Sequence, residues 1–463
     1  MDAFDLFVIG GGSAGLRAAR TAARMGARVG LAERKELGGE CFWAGCVPTK
    51  AMIRAAQVWA MARRAGEFGV ELRIERGDFG AAMDYKDRAV ARVGGEAGDA
   101  GLGRLGVRYY PDEARFEDPH TLSVGAGHVR GERILIAGGT MPAVPPIPGL
   151  REAGFLTNRE AVALRELPRR LAILGAGPIG LEFGQVFRRF GAEVTVVERM
   201  PRVLPNEDAQ VSELLAGYLR EEGVRLITGR SAVRVQGGRP KRLWLEGDGR
   251  EASVEADEIL VAAGRTADLK GMEIAASCVD HTRAAISVDP FLRTSCEHIW
   301  AAGDVTGGFL FTHVASFEGG IAAQNALGGS PQRHDTRVVP RATYVDPEVA
   351  SVGLTQGEAL RAGHEVAVHA FSFADLDRAI LHGEPRGLVK LVSDARSGTI
   401  LGAHLLGHEA SSIIAEVALA MQHGLPVSAI GGTMHAYPSF PEAVEAAALA
   451  PPTYVGAASG VDD

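Results

Sequence analysis

One unit of chain occurs twice, and it constrains everything else about the fold. Residues 5–9 (DLFVI) form an apolar run too short for a helix, and Gly10, Gly12 and Gly15 follow at once. An Ala/Arg-rich helical segment then runs from Leu16 to Met25 and stops at Gly26, and a second apolar run ends at Glu33. The same events recur from residue 171: LAIL, the turn residues Gly175, Gly177, Ile179 and Gly180, a helix through Phe190, a stop at Gly191, and EVTVV ending at Glu198. In both copies the acid lies 23 positions beyond the first glycine. The chain carries 60 glycines where average usage of roughly 7% predicts about 32, so a single Gly-x-Gly-x-x-Gly would mean little. Two copies in the same strand–turn–helix–strand context read as two dinucleotide sites. The first glycine permits the tight turn, the second lets backbone approach a pyrophosphate, and the third lets helix and strand pack closely. The helix N-terminus presents N–H donors and a positive dipole end to the phosphates, while the terminal carboxylate accepts from ribose hydroxyls.

The 463 residues suggest about three domains. Three further strands end in glycine, at 133–139, 258–265 and 298–304, and the proline-dense MPAVPPIPGL (141–150) reads as a linker. From about Val338 alternating strands precede a helix over 408–423, which predicts a separate α+β domain. The expected class is therefore α/β, with two Rossmann-like nucleotide domains and a C-terminal α+β domain. The expected boundaries are 1–148 and 271–336 for the two parts of the first nucleotide domain, 149–270 for the second, and 337–463 for the last. A net charge of −8 argues against nucleic acid or an anionic membrane as partner. No apolar run approaches the roughly 18 residues of a membrane span, and the N-terminus lacks the basic segment of a secretory signal. Four cysteines cannot form a disulfide scaffold, so a cytoplasmic protein is expected.

In a reducing compartment a close cysteine pair is catalytic or metal-binding more often than structural. Cys41 and Cys46, in GGECFWAGCVPTK (38–50), are near enough for a turn to bring their sulfurs together. Pro48 disfavours helix at Val47 and predicts a distortion or a fresh start there. A zinc site would need two more ligands, and no neighbouring Cys or His supplies them. Cys278 and Cys296 lack partners at motif spacing and read as two buried, inert thiols.

The segment GGECFWAGCVPTK resembles the redox-active signature of the class I pyridine nucleotide–disulfide oxidoreductases. The resemblance extends over nearly the whole chain, through both glycine fingerprints, AAGRTADL, AAGDVTG, THVAS and HAYPSFPE. It implies FAD on the first fingerprint, with Gly10, Gly12, Ser13 and Gly15 at the pyrophosphate and Glu33 on the ribose. By the same resemblance Ala114 lies on the adenine side, Asp304 on the ribityl chain and Ala315 beside the flavin. The second fingerprint, with Gly175, Gly177, Ile179, Gly180, Glu198 and Gly264, is implied to hold the nicotinamide dinucleotide. Lys50 and Glu182 match a lysine–glutamate pair beside the flavin, Cys46 the thiolate facing it and Cys41 the sulfur that attacks the acceptor. Glu198 would repel a 2′-phosphate and so favours NADH, while Arg199 and Arg202 leave NADPH open. Glu40 stands where the family usually has threonine, and Phe42-Trp43 is bulkier than usual between the cysteines.

The family's disulfide reductases carry a catalytic histidine near the C-terminus, oriented by a glutamate five residues later. Here that glutamate is Glu442 and the base position is Tyr437, with His435 two residues earlier. A tyrosine with its unperturbed pKa near 10 is a poor base at neutral pH. Tyrosine at this place resembles mercuric reductase, yet the tail GAASGVDD lacks that enzyme's adjacent cysteines and the chain opens directly on the first fingerprint. The resemblance implies an FAD-dependent NAD(P)H oxidoreductase that passes electrons through Cys41–Cys46 to a small disulfide or metal ion. It also implies a homodimer in which Tyr437 and Glu442 act across the interface. The rival readings are a flavoprotein subunit docked to a 2-oxo-acid dehydrogenase complex, and a disulfide sensor with little turnover.

Overall fold

Each glycine-rich unit folds as a strand, a helix and a second strand parallel to the first. Leu6–Ile9 leads into the helix Ser13–Arg24 and returns as Val29–Ala32, with Leu6 opposite Val29. Arg170–Leu174 leads into Pro178–Phe190 and returns as Glu193–Val197, with Leu171 opposite Val194. A parallel return requires a crossover, and strands this apolar need cover on both faces. The computed structural model describes residues 1–74, 77–94, 99–247 and 252–456; the tail 457–463 read above lies outside them.

The first sheet has five parallel strands in the order Ile299–Ala301, Ile134–Ile136, Leu6–Ile9, Val29–Ala32, Arg108–Tyr110. Its first edge strand comes from beyond the whole second unit, so the chain leaves this layer and returns to it. The second sheet is parallel too, in the order Arg225–Ile227, Glu193–Val197, Arg170–Leu174, Glu258–Val261. From Arg341 onward a six-stranded antiparallel sheet is backed by the helices Ala410–Gln422 and Glu442–Leu449. The first of these helices matches the segment expected at 408–423.

Small residues do much of the packing. Helix Ser13–Arg24 buries Ala14, Ala18, Ala19 and Ala22, and helix Thr312–Ala326 lies so close that a Cβ on Gly319 would stand 2.1 Å from the Ala14 carbonyl oxygen. The two fingerprints are near copies in this respect. A Cβ on Gly15 would sit 1.8 Å from the Gly10 carbonyl oxygen, and one on Gly180 2.0 Å from that of Gly175.

One expectation from the sequence is corrected. Cys278 and Cys296 are not separate buried thiols; they are joined as a disulfide, and Cys278 is exposed. The turn after Ile274–Ala276 runs beside the segment that precedes strand Ile299–Ala301, where Ser295 Oγ accepts from Asp280 N (2.8 Å) and donates to the Cys278 carbonyl (3.1 Å). That adjacency is long-range, and spacing along the chain carries no signal of it.

Because the crowding atom at Gly180 is backbone, which cannot swing aside, Gly180→Ala is expected to cost about 3 kcal/mol. Urea denaturation of the purified variant against the parent chain measures it.

Candidate active site

The two units open onto one cleft of about 1980 Å3, about twice the upper end of the usual range for a single small-ligand pocket. Gly12, Ser13, Glu33, Asp304 and Ala315 line one part, and Gly175, Gly177, Ile179, Glu198 and Gly264 another. Cys41, Cys46, Lys50 and Glu182 line it as well. Gly10, Gly15 and Gly180 are not among the lining residues; they shape the turns from beneath.

The fingerprints fit the nucleotides implied for them. Gly12 and Gly177 cap their helices with extended backbone (φ −77° in both) and no side-chain cap, and a Cβ on either would meet nothing within 4 Å. Each first turn thus leaves its N–H donors facing open cleft, which is what a pyrophosphate requires. The two acids are also held alike. Glu33 accepts from Gly11 N (2.7 Å) and Lys35 N (2.8 Å), and Glu198 from Ala176 N (2.8 Å) and Met200 N (2.9 Å). Each carboxylate oxygen retains acceptor capacity for a ribose hydroxyl. Arg199 lines the cleft, whereas Arg202 donates to the Pro205 carbonyl (2.8 Å). Asp304 is pushed above the usual carboxylate range by burial, which the hydrogen bond from Thr140 (3.0 Å) and the charge of Arg265 only partly offset. Ala114 is not among the residues lining the cleft and is 3% exposed in the antiparallel strand Ala114–Phe116.

The helix does not break at Val47 as Pro48 led one to expect: Val47 and Pro48 lie in a first helical turn, where proline is tolerated, and the break falls earlier, at Ala44 and Gly45. Cys41 belongs to the short helix Gly39–Trp43, and Cys46 opens the helix Cys46–Arg63. Gly45 lets the two helices meet tightly, since a Cβ there would lie 2.9 Å from the Glu40 carbonyl oxygen. Both cysteines carry thiols, and the Cys41 thiol hydrogen-bonds to Cys46. That bond lowers the Cys46 pKa by more than burial raises it, and Thr312 and the Lys50 charge add to the lowering. The Thr312 hydroxyl is 3.4 Å from the sulfur. A helix N-terminus also favours a thiolate. The Cys41 thiol is driven the other way, by its bond to Cys46 and by burial, and keeps its proton.

Lys50 Nζ reaches both oxygens of Glu182, at 3.0 and 2.9 Å, and lies 4.5 Å from the centroid of the Tyr344 ring. Glu182, 5% exposed, also accepts from Tyr344 N (2.9 Å). Burial pulls the Lys50 pKa down, but the charge and hydrogen bonds of Glu182 outweigh it and hold the ammonium above its usual range. The Glu40 substitution is structural as well as local. Its carboxylate pairs with Arg159 and accepts from Asn158 Nδ2 (2.8 Å), so the cysteine-bearing helix is clasped to the helix Asn158–Ala163. Trp43 donates to the Leu37 carbonyl (2.9 Å).

Tyr437 and Glu442 are not brought to the cysteines within one chain. Tyr437 is 73% exposed and donates to Asp377 (2.8 Å), and Glu442 accepts from Ser439 N. His435 is pinned between Glu416 (3.0 Å) and Glu445 (3.3 Å). Sequence reasoning missed Thr312, Tyr344, Asn158 and Arg159. Thr312 lies within the quoted THVAS, but nothing in that motif says that it touches Cys46. Among the described residues no helix is long and apolar enough to cross a membrane, and no cluster of three or more His, Cys, Asp or Glu is arranged to hold a metal ion.

The family profile described as pyridine nucleotide-disulphide oxidoreductase matches residues 4–319, and that of the same family's dimerisation domain matches residues 339–448. A mercuric reductase of Staphylococcus aureus is 35% identical over 448 residues, 96% of this chain and 82% of its own length. A dihydrolipoyl dehydrogenase of Chlorobaculum parvum is 37% identical over 457 residues, covering 96% and 97%. Among solved structures, the Cu(II) complex of the HOCl-induced flavoprotein disulfide reductase RclA from Escherichia coli superposes with a TM-score of 0.86 at 30% identity, covering 97% of this chain and 99% of that one.

Cys46 is a depressed-pKa group, so its thiolate is present above its folded pKa and lost only as pH falls through it. In the reduced protein, the rate of Cys46 alkylation should therefore stay flat as pH drops well below the usual thiol value of about 8.5. In Lys50→Met, where the neighbouring cation is gone, the same rate profile should shift to higher pH.

Proposed function

The chain belongs to the class I pyridine nucleotide–disulphide oxidoreductases, a family of FAD-dependent enzymes, and we propose that it uses NADH to reduce a thiophilic metal ion in preference to a disulfide. Bound FAD would supply the two-electron chemistry that links a reduced nicotinamide to the cysteine pair. Gly12 and Ser13 open the helix that would face its pyrophosphate, Glu33 its ribose and Asp304 its ribityl chain. Lys50, oriented by Glu182, supplies positive charge beside the reactive ring. Glu198 holds a fixed carboxylate where a 2′-phosphate would sit, and Arg202 is engaged with Pro205, which supports NADH over NADPH.

The observation that carries the acceptor is the state of Tyr437. Its hydrogen bond to Asp377, and that carboxylate's charge, hold the phenol above its ordinary pKa. A phenol so held neither accepts nor returns a proton readily at neutral pH. Reducing a disulfide needs a proton delivered to the leaving thiolate, whereas two sulfurs binding a soft cation need none and release the Cys41 proton to water. Cys46 as thiolate and Cys41 supply the sulfurs, and NADH supplies two electrons, enough for one Hg(II) to Hg(0) or two Cu(II) to Cu(I). The mercuric reductase likeness and the Cu(II) complex of RclA support this class of acceptor.

The assembly we propose is a cytoplasmic homodimer. A dimerisation domain is present, and the C-terminal region exposes Tyr437, Met434 (96%) and Leu449 (65%), apolar area that a second copy would cover. Tyr437 and Glu442 would then stand at the partner's cysteine cleft.

The test is anaerobic NADH oxidation by the FAD-loaded protein with mercuric and cupric ions, lipoamide and glutathione disulfide. Turnover with the metal ions and little with the disulfides is expected, and lipoamide turnover outpacing both metals overturns the reading. Tyr437→His is expected to raise disulfide turnover about 100-fold, leaving the metal rates within a small factor.

A further inference from the structure

We propose that Cys278 and Cys296 form a second thiol–disulfide exchange site, opened and closed by low-molecular-weight thiols and their disulfides, apart from the Cys41–Cys46 pair. The two sulfurs differ in access. Cys278 is exposed, whereas Cys296 is 5% exposed and packs in the core with Val279, Ile286 and Ile299. An incoming thiolate therefore meets Cys278 Sγ, and Cys296 is the leaving sulfur.

A histidine is aimed at the leaving sulfur. His298 Nε2 lies 2.8 Å from the Pro119 carbonyl oxygen, which can only accept, so in the neutral ring Nε2 carries the proton. Nδ1 then holds the lone pair, and it faces Cys296 Sγ at 3.7 Å. The ring of His120 lies flat on that of His298, centroids 3.7 Å apart and planes 11° from parallel, and is itself anchored to the Gly131 carbonyl (3.2 Å). The imidazole is thus held in the orientation in which it takes a proton from the Cys296 thiol.

The bridge is redundant as a staple. Ser295 already ties residue 280 to residue 278 by two hydrogen bonds, and Val279 is buried between them. Breaking the sulfur–sulfur bond frees no segment of chain. In a reducing compartment, the disulfides that do form are mostly transient and catalytic or redox-sensing.

The exchange balances as follows. RS− attacks Cys278 Sγ, the bond to Cys296 breaks, and Cys296 leaves with the electron pair as a thiolate that takes up a proton. The mixed disulfide on Cys278 is resolved by a second RS−, which forms RSSR and frees Cys278; in sum the protein disulfide is reduced to two thiols and two RSH are oxidised to RSSR. Closure runs backwards: Nδ1 of His298 accepts the Cys296 proton, and the thiolate attacks Cys278 in its mixed disulfide and expels RS−.

The experiment incubates the purified holoenzyme with graded ratios of reduced to oxidised glutathione, quenches in acid, alkylates in denaturant and maps each cysteine by mass spectrometry. Residues 278 and 296 are expected to switch together from bonded to alkylated as the ratio rises, with the near-ultraviolet circular dichroism unchanged. Cys296→Ser is expected to trap glutathione on Cys278. His298→Phe, which keeps the ring stack, is expected to slow closure about tenfold. An arm with NADH alone frees 41 and 46 and leaves 278 and 296 bonded, so failure of the flavin pathway is read separately. The proposal is overturned by free thiols at 278 and 296 in air-oxidised protein, or by a bond that opens only when the protein unfolds.

Discussion

The arrangement of the cleft turns on the ion pair between Lys50 and Glu182. Lys50 lies on the helix that Cys46 opens, and Glu182 on the helix that follows the second fingerprint. The pair therefore sets how the cysteine-bearing helix stands relative to the second nucleotide unit. Glu182 is almost wholly buried, and taking a carboxylate out of water is costly unless its oxygens are fully occupied. Two contacts from Lys50 and one from Tyr344 N occupy them. Buried ion pairs are often no more stable than apolar pairs of similar volume, and here the Lys50 charge lowers the Cys46 pKa while that of Glu182 opposes it.

Charge is distributed around the cysteines with the same economy. Cys46 is flanked by a cation, a hydroxyl and the hydrogen-bonding Cys41 thiol, so one sulfur of the pair is ionised while the other keeps its proton. Glu40 adds a negative charge beside them, but its carboxylate faces Arg159 and Asn158 and is neutralised by the contact. The substitution of a carboxylate for the family's threonine thus fastens the short helix Gly39–Trp43 to the neighbouring element instead of opposing the thiolate.

The near-identity of the two fingerprints shows how much of this protein is written locally. Gly10 and Gly175 have φ of 103° and 109°, and each would drive a Cβ to 2.3 Å from a carbonyl oxygen. Glu33 and Glu198 make the same two backbone contacts in their own units. The positive φ and the acid at a fixed spacing are local demands, so the pattern of glycine, apolar run and acid was readable before any fold was known, although the crowding carbonyls belong to the distant Ala137 and Ala262. The partners of Cys46 were not: Thr312 lies 266 positions away and Glu182 132 positions from Lys50. Arg159 and Asn158 were equally silent, because only packing between elements brings them to Glu40. The disulfide between Cys278 and Cys296 was misread for a related reason, since no motif announces that two loops run side by side.

By itself, then, the amino-acid order determined the two strand–turn–helix–strand units and the change to an α+β domain from about Val338. These follow from steric limits on a few consecutive residues and from the period of the apolar positions. Only the tertiary structure decided which sulfur is ionised, which carboxylate is buried, where Tyr437 stands and which cysteines pair. Those properties depend on distances and on the exclusion of water between groups far apart in the chain, and neither exists until the layers have packed.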